Sequence, residues 1–127
     1  MASGFPPAPL FGEIQPIADG FLTLSEKGVH ESFAQDLSED ERKLVHAVQG
    51  PTQGAILQTP IKHAAWRTKP SWFVIAAQDR AIAPEQEKST AERMGAKTLT
   101  LPTSHVPMLS KPREVAEFII SAAASLG

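Results

Sequence analysis

Trp72-Phe73-Val74-Ile75-Ala76-Ala77, a Pro84-led helical pattern to Met94, and Lys97-Thr98-Leu99-Thr100-Leu101 are the stretch that decides the fold. An apolar run, a helix and a second apolar run in this order form a β-α-β unit, whose crossover makes the two strands parallel. The first run is nearly all apolar, as a strand covered on both faces requires. The second alternates, with Leu99 and Leu101 on one side, which predicts a strand nearer a sheet edge. Pro84 opens the helix with Glu85 and Glu87 in its first turn. Gly95 closes it where a left-handed residue is favoured. Beyond the first strand stands Asp79 and beyond the second His105. In an open parallel sheet, ligands sit outside the carboxyl ends of the strands, so both side chains fall on the edge where chemistry is done.

Outward from this unit, residues Pro112 to about Ser125 carry the clearest helical pattern. Val115, Phe118, Ile119 and Ala122 recur at i, i+3, i+4 and i+7, and the helix is expected to pack across the sheet. On the other side, the chain before residue 70 reads as a small, mostly helical layer. Residues 1 to about 20 hold Pro6, Pro7, Pro9 and Pro16 with Gly4, Gly12 and Gly20, too many breakers for a helix or a central strand. They are expected to form a loop or arm. Phe21 to Leu24 alternates weakly as a short strand, and Ser25 or Thr23 can cap a helix over roughly Glu26 to Gln35. Ser38-Glu39-Asp40-Glu41 is a capping box: serine accepts from the amide three residues on, and Glu41 reaches back. The three acids face the positive end of the dipole of a helix running to about Val48, with Leu37, Leu44, Val45 and Val48 as its apolar stripe. They lack the alternating ligands of a calcium loop. Gly50-Pro51 stops that helix, and Pro51 suits the first turn of another short one carrying Ala55, Ile56 and Leu57, ended by Pro60. Ile61 to Pro70 is a connector with a lone Trp66. The boundaries are therefore an arm and helical layer over 1–69 and a β-α-β-α unit over 70–127. No internal repeat or low-complexity segment is found.

Composition bounds the function. There is room for one domain in 127 residues, and 42% hydrophobic content is ordinary for a globular protein. A formal charge of −2, with Lys and Arg scattered, offers no field for phosphate backbones, so nucleic acid is excluded as a partner. The chain has no cysteine, which removes disulfides, thiolate metal sites and thiol nucleophiles and fits a reducing compartment. His30, His46, His63 and His105 lie 16 or more residues apart, without the short spacings of metal sites, and no cofactor is expected. The first three are expected on solvated faces without a role. Met1-Ala2-Ser3-Gly4-Phe5-Pro6-Pro7 lacks the basic flank and apolar core of a signal peptide, and no run is long enough to span a bilayer. The default is a cytoplasmic protein with no membrane partner.

An acid followed after 26 residues by a histidine, each beyond a strand, matches the last two members of a Ser-His-acid triad. The carboxylate holds the imidazole's tautomer and stabilises the imidazolium. The imidazole takes the nucleophile's proton and returns it to the leaving group. With their surroundings, the segments Trp72–Asp79-Arg80-Ala81-Ile82-Ala83-Pro84 and Ser104-His105-Val106-Pro107-Met108-Leu109-Ser110-Lys111-Pro112 resemble the closing part of α/β-hydrolase fold enzymes. The wording His-x-x-Met-Leu-Ser-Lys-Pro is closest to the plant methylesterase and hydroxynitrile-lyase branch and its bacterial esterase relatives. The resemblance implies that Asp79 is the triad acid and His105 the base, that Met108 and Trp66 line a pocket wall, and that residues 1–69 are a helical cap. On the residues alone, Trp66 reads as a packing residue of its small layer. It also implies a carboxylic ester as substrate, with hydroxynitrile-lyase chemistry as an option on the same triad.

One part of that family's pattern is absent. Its nucleophile sits in Gly-x-Ser-x-Gly, where the glycines permit a strained strand-to-helix elbow, and no serine here is flanked in that way. Ser3, beside Gly4, reads as a loop residue, and Ser104, whose side chain points away from its neighbour His105, reads as a turn hydroxyl. The expectation is an α/β chain amounting to the cap and second half of a serine hydrolase, inactive alone. A small ester would then be its substrate once an N-terminal half completes it. The alternative from another class is a non-catalytic remnant that dimerises or binds a small apolar ligand. A two-stranded parallel sheet leaves both edges open, so either reading needs a covering surface, from a complementing chain or a second copy.

Overall fold

The computed structural model describes residues 4–127, so Ser3 lies outside the described residues. The described residues form an α/β fold with two sheets. Strand β4 (Trp72–Ala76) and strand β5 (Lys97–Leu101) pair in parallel, in register from Trp72 opposite Lys97 to Ala76 opposite Leu101. Helix α3 (Pro84–Met94) crosses between them and ends on Gly95 at φ 60°, a left-handed conformation that glycine adopts without a Cβ penalty. The β-α-β reading of the sequence therefore describes this half of the molecule.

The sequence reading of residues 9–57 as a mostly helical layer is corrected: that half also contains a sheet. β1 (Ile14–Pro16), β2 (Phe21–Leu24) and β3 (Thr52–Gln53) form an antiparallel sheet in the order β1-β2-β3. The segment read as an arm thus supplies an edge strand, and Pro16 is tolerated at its end because nothing is paired outside it. The turn joining β1 to β2 is Ala18-Asp19-Gly20, with Asp19 at φ 58° and Gly20 at φ 76°. Positive φ at both matches the right-handed twist of a hairpin, and Asp-Gly is the pair that accepts it most readily. Pro51 precedes β3 rather than opening a helix, and Gly54–Leu57 forms a single 3-10 turn.

After β2, Ser25 caps helix α1 (Glu26–Gly28), accepting from the Gly28 amide at 2.9 Å. The helix widens at once into a π-turn over Val29–Phe33. Helix α2 (Glu39–Val48) starts on the expected capping box, with both reciprocal bonds made. Half of its expected stripe stays in solvent: Leu37 is buried and Val45 half-buried, but Leu44 and Val48 are exposed. Two further helices, α4 (Pro107–Ser110) and α5 (Pro112–Ala124), close the chain. The expectation that α5 covers the sheet is met only in part. It packs chiefly on α4, and Ile119 and Ile120 remain exposed.

The main core joins the two halves. Val29, Ala34 and Leu37 from the first half pack with Val106, the residue after His105, with Leu24, Phe33 and Val45 around them. Leu10 donates its amide to the Arg80 carbonyl at 3.1 Å, so the N-terminal segment is tied to the turn after β4 as well. No helix among the described residues is long and apolar enough to cross a membrane.

Candidate functional site

Parallel pairing determines where the turn residues go. Ala77 donates to Leu101 at 2.8 Å and Gln78 to Thr103 at 3.1 Å, continuing the ladder past the ends of both strands. The turns leaving β4 and β5 therefore lie side by side. Asp79, three residues past Ala76, meets His105, four residues past its register partner Leu101. His105 Nδ1 and Asp79 Oδ2 are 2.7 Å apart. The other oxygen, Oδ1, accepts from the Ala81 amide at 2.6 Å and the Ile82 amide at 3.0 Å. With three bonds and a fully buried side chain, the carboxylate has one orientation.

The imidazole has an aromatic neighbour as well. Phe33, carried by the π-turn, packs against it at 5.1 Å between centroids, with the rings tilted by 47°. A π-turn shifts side chains out of α-helical phase, and such turns recur at functional sites. Its Nδ1 is engaged by the buried Asp79, which leaves Nε2 as the other ring nitrogen of a partly exposed side chain. His105 also lines a cavity of about 440 Å³ walled by Leu22, Leu24, Val29, Phe33, Val45 and Leu57. Neither Met108 nor Trp66 is among its lining residues. Met108 is exposed on α4, and the guanidinium groups of Arg67 and Arg93 lie over the Trp66 ring at 5.2 and 5.9 Å from its centroid. A larger hollow of about 580 Å³ along Ile61–Thr68 touches neither Asp79 nor His105 and carries no comparable pair.

Ser104 is fully buried, its Oγ bonded to the Val106 amide at 3.5 Å, and its amide donates to Asp36 Oδ2 at 3.0 Å. This is the turn role read from the sequence. Of the other histidines, His63 is exposed as expected, whereas His46 and His30 are half-buried, His30 with an unpartnered Nε2. Sequence reasoning also missed a residue. Glu87, placed by the sequence only in the first turn of α3, is buried, accepts the Ala76 amide at 2.8 Å, and offers a carboxyl oxygen within 4.8 Å of ligand atoms of Asp79 and His105. The signal was its phase: Glu87, Ala91 and Met94 at i, i+4 and i+7 share the sheet-facing side of α3.

The charges of this trio are shaped by burial and by one another. Burial works against the Asp79 carboxylate, but its bonds to His105 and to the Ile82 and Ala81 amides outweigh it and hold its pKa below the usual range. The Asp79 bond raises the His105 pKa against burial. Burial, reinforced by Asp79, pushes Glu87 up to about 7. Three donor atoms at this spacing could approach a cation, but each carboxylate already accepts a backbone amide and Asp79 also holds His105. Chemically, such an arrangement is suited to holding and exchanging a proton.

Stability should follow from these shifts. A depressed Asp79 contributes fully above the ordinary carboxylate pKa and loses its contribution as acid protonates it. A raised Glu87 contributes fully below its ordinary value of 4.5 and loses that contribution as pH rises through about 7. The Glu87 loss is on the order of 3 kcal/mol. His105, also raised, loses its contribution as pH rises from its ordinary value of 6.5 through its folded one. Urea denaturation is therefore expected to give greatest stability in mildly acidic buffer and a decline through neutrality. A rise in stability from pH 5 to 8 would contradict the assignment.

Comparison with known proteins bears on this site. A family model described as Alpha/beta hydrolase family matches residues 1–118. Among solved structures, the crystal structure of polyneuridine aldehyde esterase superposes with a TM-score of 0.71 at 18% identity, covering 87% of this chain and 47% of that one. A mutant of that esterase gives 0.70 at 18% identity, covering 86% and 46%. No curated protein matches. The chain spans about half the length of the solved structures it resembles, and at this identity the likeness speaks for the fold.

Proposed function

Given that this chain belongs to the alpha/beta hydrolase family, of which it presents a partial fold, we propose that it supplies the acid–base half of a carboxylic ester hydrolase. His105 is the general base and then acid, Asp79 its orienter, and residues 1–69 the cap over the apolar cavity. The observation that carries this reading is the 2.7 Å bond between His105 Nδ1 and an Asp79 carboxylate fixed by two amides. A proton on Nδ1 leaves the Nε2 lone pair free, which is the tautomer a general base needs.

In the proposed reaction a serine hydroxyl gives its proton to His105 Nε2 as its oxygen attacks the ester carbonyl. The imidazolium formed is stabilised by Asp79. It then returns the proton to the departing alkoxide, and a water repeats the sequence to release the acid. No serine of residues 1–127 is flanked as Gly-x-Ser-x-Gly, and the proposed hydroxyl belongs to a complementing segment, a reading supported by the 47% coverage of the esterase. The unpaired outer edges of β4 and β5 among the described residues offer the surface on which such a segment would add strands.

A second reading, a remnant that binds a small apolar ligand or dimerises, draws on the same open edges and the 440 Å³ cavity. A serine-reactive fluorophosphonate probe separates the two. The chain of residues 1–127 is expected to stay unlabelled and not to hydrolyse short-chain esters. A co-purifying polypeptide with a glycine-flanked serine is expected to be labelled, and its labelling to need His105. Labelling of the 127-residue chain would contradict the missing nucleophile. Absence of labelling in every combination would favour the remnant.

A further inference from the structure

We infer that Glu87 is a positioning residue of the Asp79–His105 pair, a second carboxyl that braces the end of β4 and sets the charge against which His105 takes up a proton. Its kinetic consequence rests on the hydrolase reading above, whereas its titration does not, so the two can fail separately.

Glu87 lies in the first turn of α3 and is buried between that helix and β4, where Oε2 accepts the Ala76 amide at 2.8 Å. Ala76 is the last residue of β4, three before Asp79, whose amide bonds back to the Ala76 carbonyl at 3.1 Å. One carboxyl thus clamps the strand end from which the Asp79 turn departs. A carboxyl oxygen of Glu87, a carboxylate oxygen of Asp79 and a ring nitrogen of His105 all lie within 4.8 Å of one another.

The charges that face it are few. β4, the element packed on α3, carries Trp72, Phe73, Val74, Ile75 and Ala76 and no ionisable side chain. The turn after β4 brings Asp79, and the turn after β5 brings His105; Arg80 in the first turn is exposed. Two buried carboxyls this close do not readily ionise together, so Glu87 retains its proton while Asp79 remains the anion. When Glu87 does ionise, a second negative charge stands near the imidazole and favours its protonated form. His105 accordingly titrates against Glu87 as well as Asp79, and the three groups give coupled rather than independent curves. At mildly acidic pH a neutral Glu87 leaves His105 a weaker base, and above neutrality the extra charge strengthens it.

The test is NMR titration of the chain with labelled carboxyl and imidazole groups. In the wild type the Glu87 carboxyl carbon is expected to titrate near neutrality, with a matching inflection in the His105 ring signals. Glu87→Gln retains an oxygen for the Ala76 amide and removes only the charge. It is expected to leave the His105–Asp79 hydrogen bond in place, to shift the His105 transition to lower pH and to abolish the shared inflection. Brace and charge are thereby separated, since a purely structural Glu87 would leave the His105 curve unmoved. Overturning results are a Glu87 carboxyl that titrates in the ordinary carboxylate range, or identical His105 curves in wild type and variant. The first needs no variant, so a failure of Glu87→Gln to fold leaves the proposal open to refutation.

Discussion

Asp79→Asn is expected to leave the chain folded while lowering kcat of the completed hydrolase by about 10⁴-fold. The asparagine carbonyl can still accept the Ala81 and Ile82 amides that bind Oδ1, so the turn after β4 is kept. The amide nitrogen replaces Oδ2 opposite His105 Nδ1, and it donates where the carboxylate accepted. Nδ1 must then carry the lone pair and Nε2 the proton, leaving no base for the nucleophile. The raised His105 pKa, caused first by the Asp79 bond, should fall as well. Nitrogen chemical shifts of the ring and ester-hydrolysis kinetics check both parts. An unchanged kcat with a reversed tautomer would refute the proposed role of Asp79.

The second large effect concerns folding. Val29 is fully buried in the core that joins the two halves, against Ala34, Leu37 and Val106. Val29→Asp places an unpaired carboxylate there, at a cost of several kcal/mol, comparable with the whole stability of a domain this size. The variant is expected to be unfolded at 25 °C by circular dichroism. Val29→Ala, which only removes two methyl groups and leaves a small cavity, should cost about 2 kcal/mol in urea denaturation. Because Val106 follows His105, the alanine variant should also loosen the imidazole, seen as broader ring signals. Val29→Asp folding like the wild type would mean that this cluster does not hold the halves together.

Local features carried much of the fold into the sequence. Pro84 and Gly95 bound α3, Ser38 and Glu41 open α2, and apolar runs mark β4 and β5, since each signal acts within a few residues. The wording around Asp79 and His105 likewise led to the family that the comparison shows. The antiparallel sheet escaped because its strands run to four residues at most, too short for periodicity to register, though Asp19-Gly20 was a usable hairpin signal. Leu44 and Val48 were misplaced for a related reason. An apolar stripe says which side of a helix is oily, but whether anything covers that side depends on partners far along the chain.

By itself the sequence determined the β-α-β unit, the helix ends, the exclusion of thiol chemistry and the presence of an acid and a histidine at adjoining strand ends. Tertiary structure alone decided the 2.7 Å bond between them, the ring of Phe33 against the imidazole, and the burial of Glu87 beside both. The division has a physical cause. Caps and periodicity are set by neighbours within a turn or two, whereas the distance between Asp79 and His105, and the dielectric around Glu87, arise only when strands far apart in the chain are brought into register.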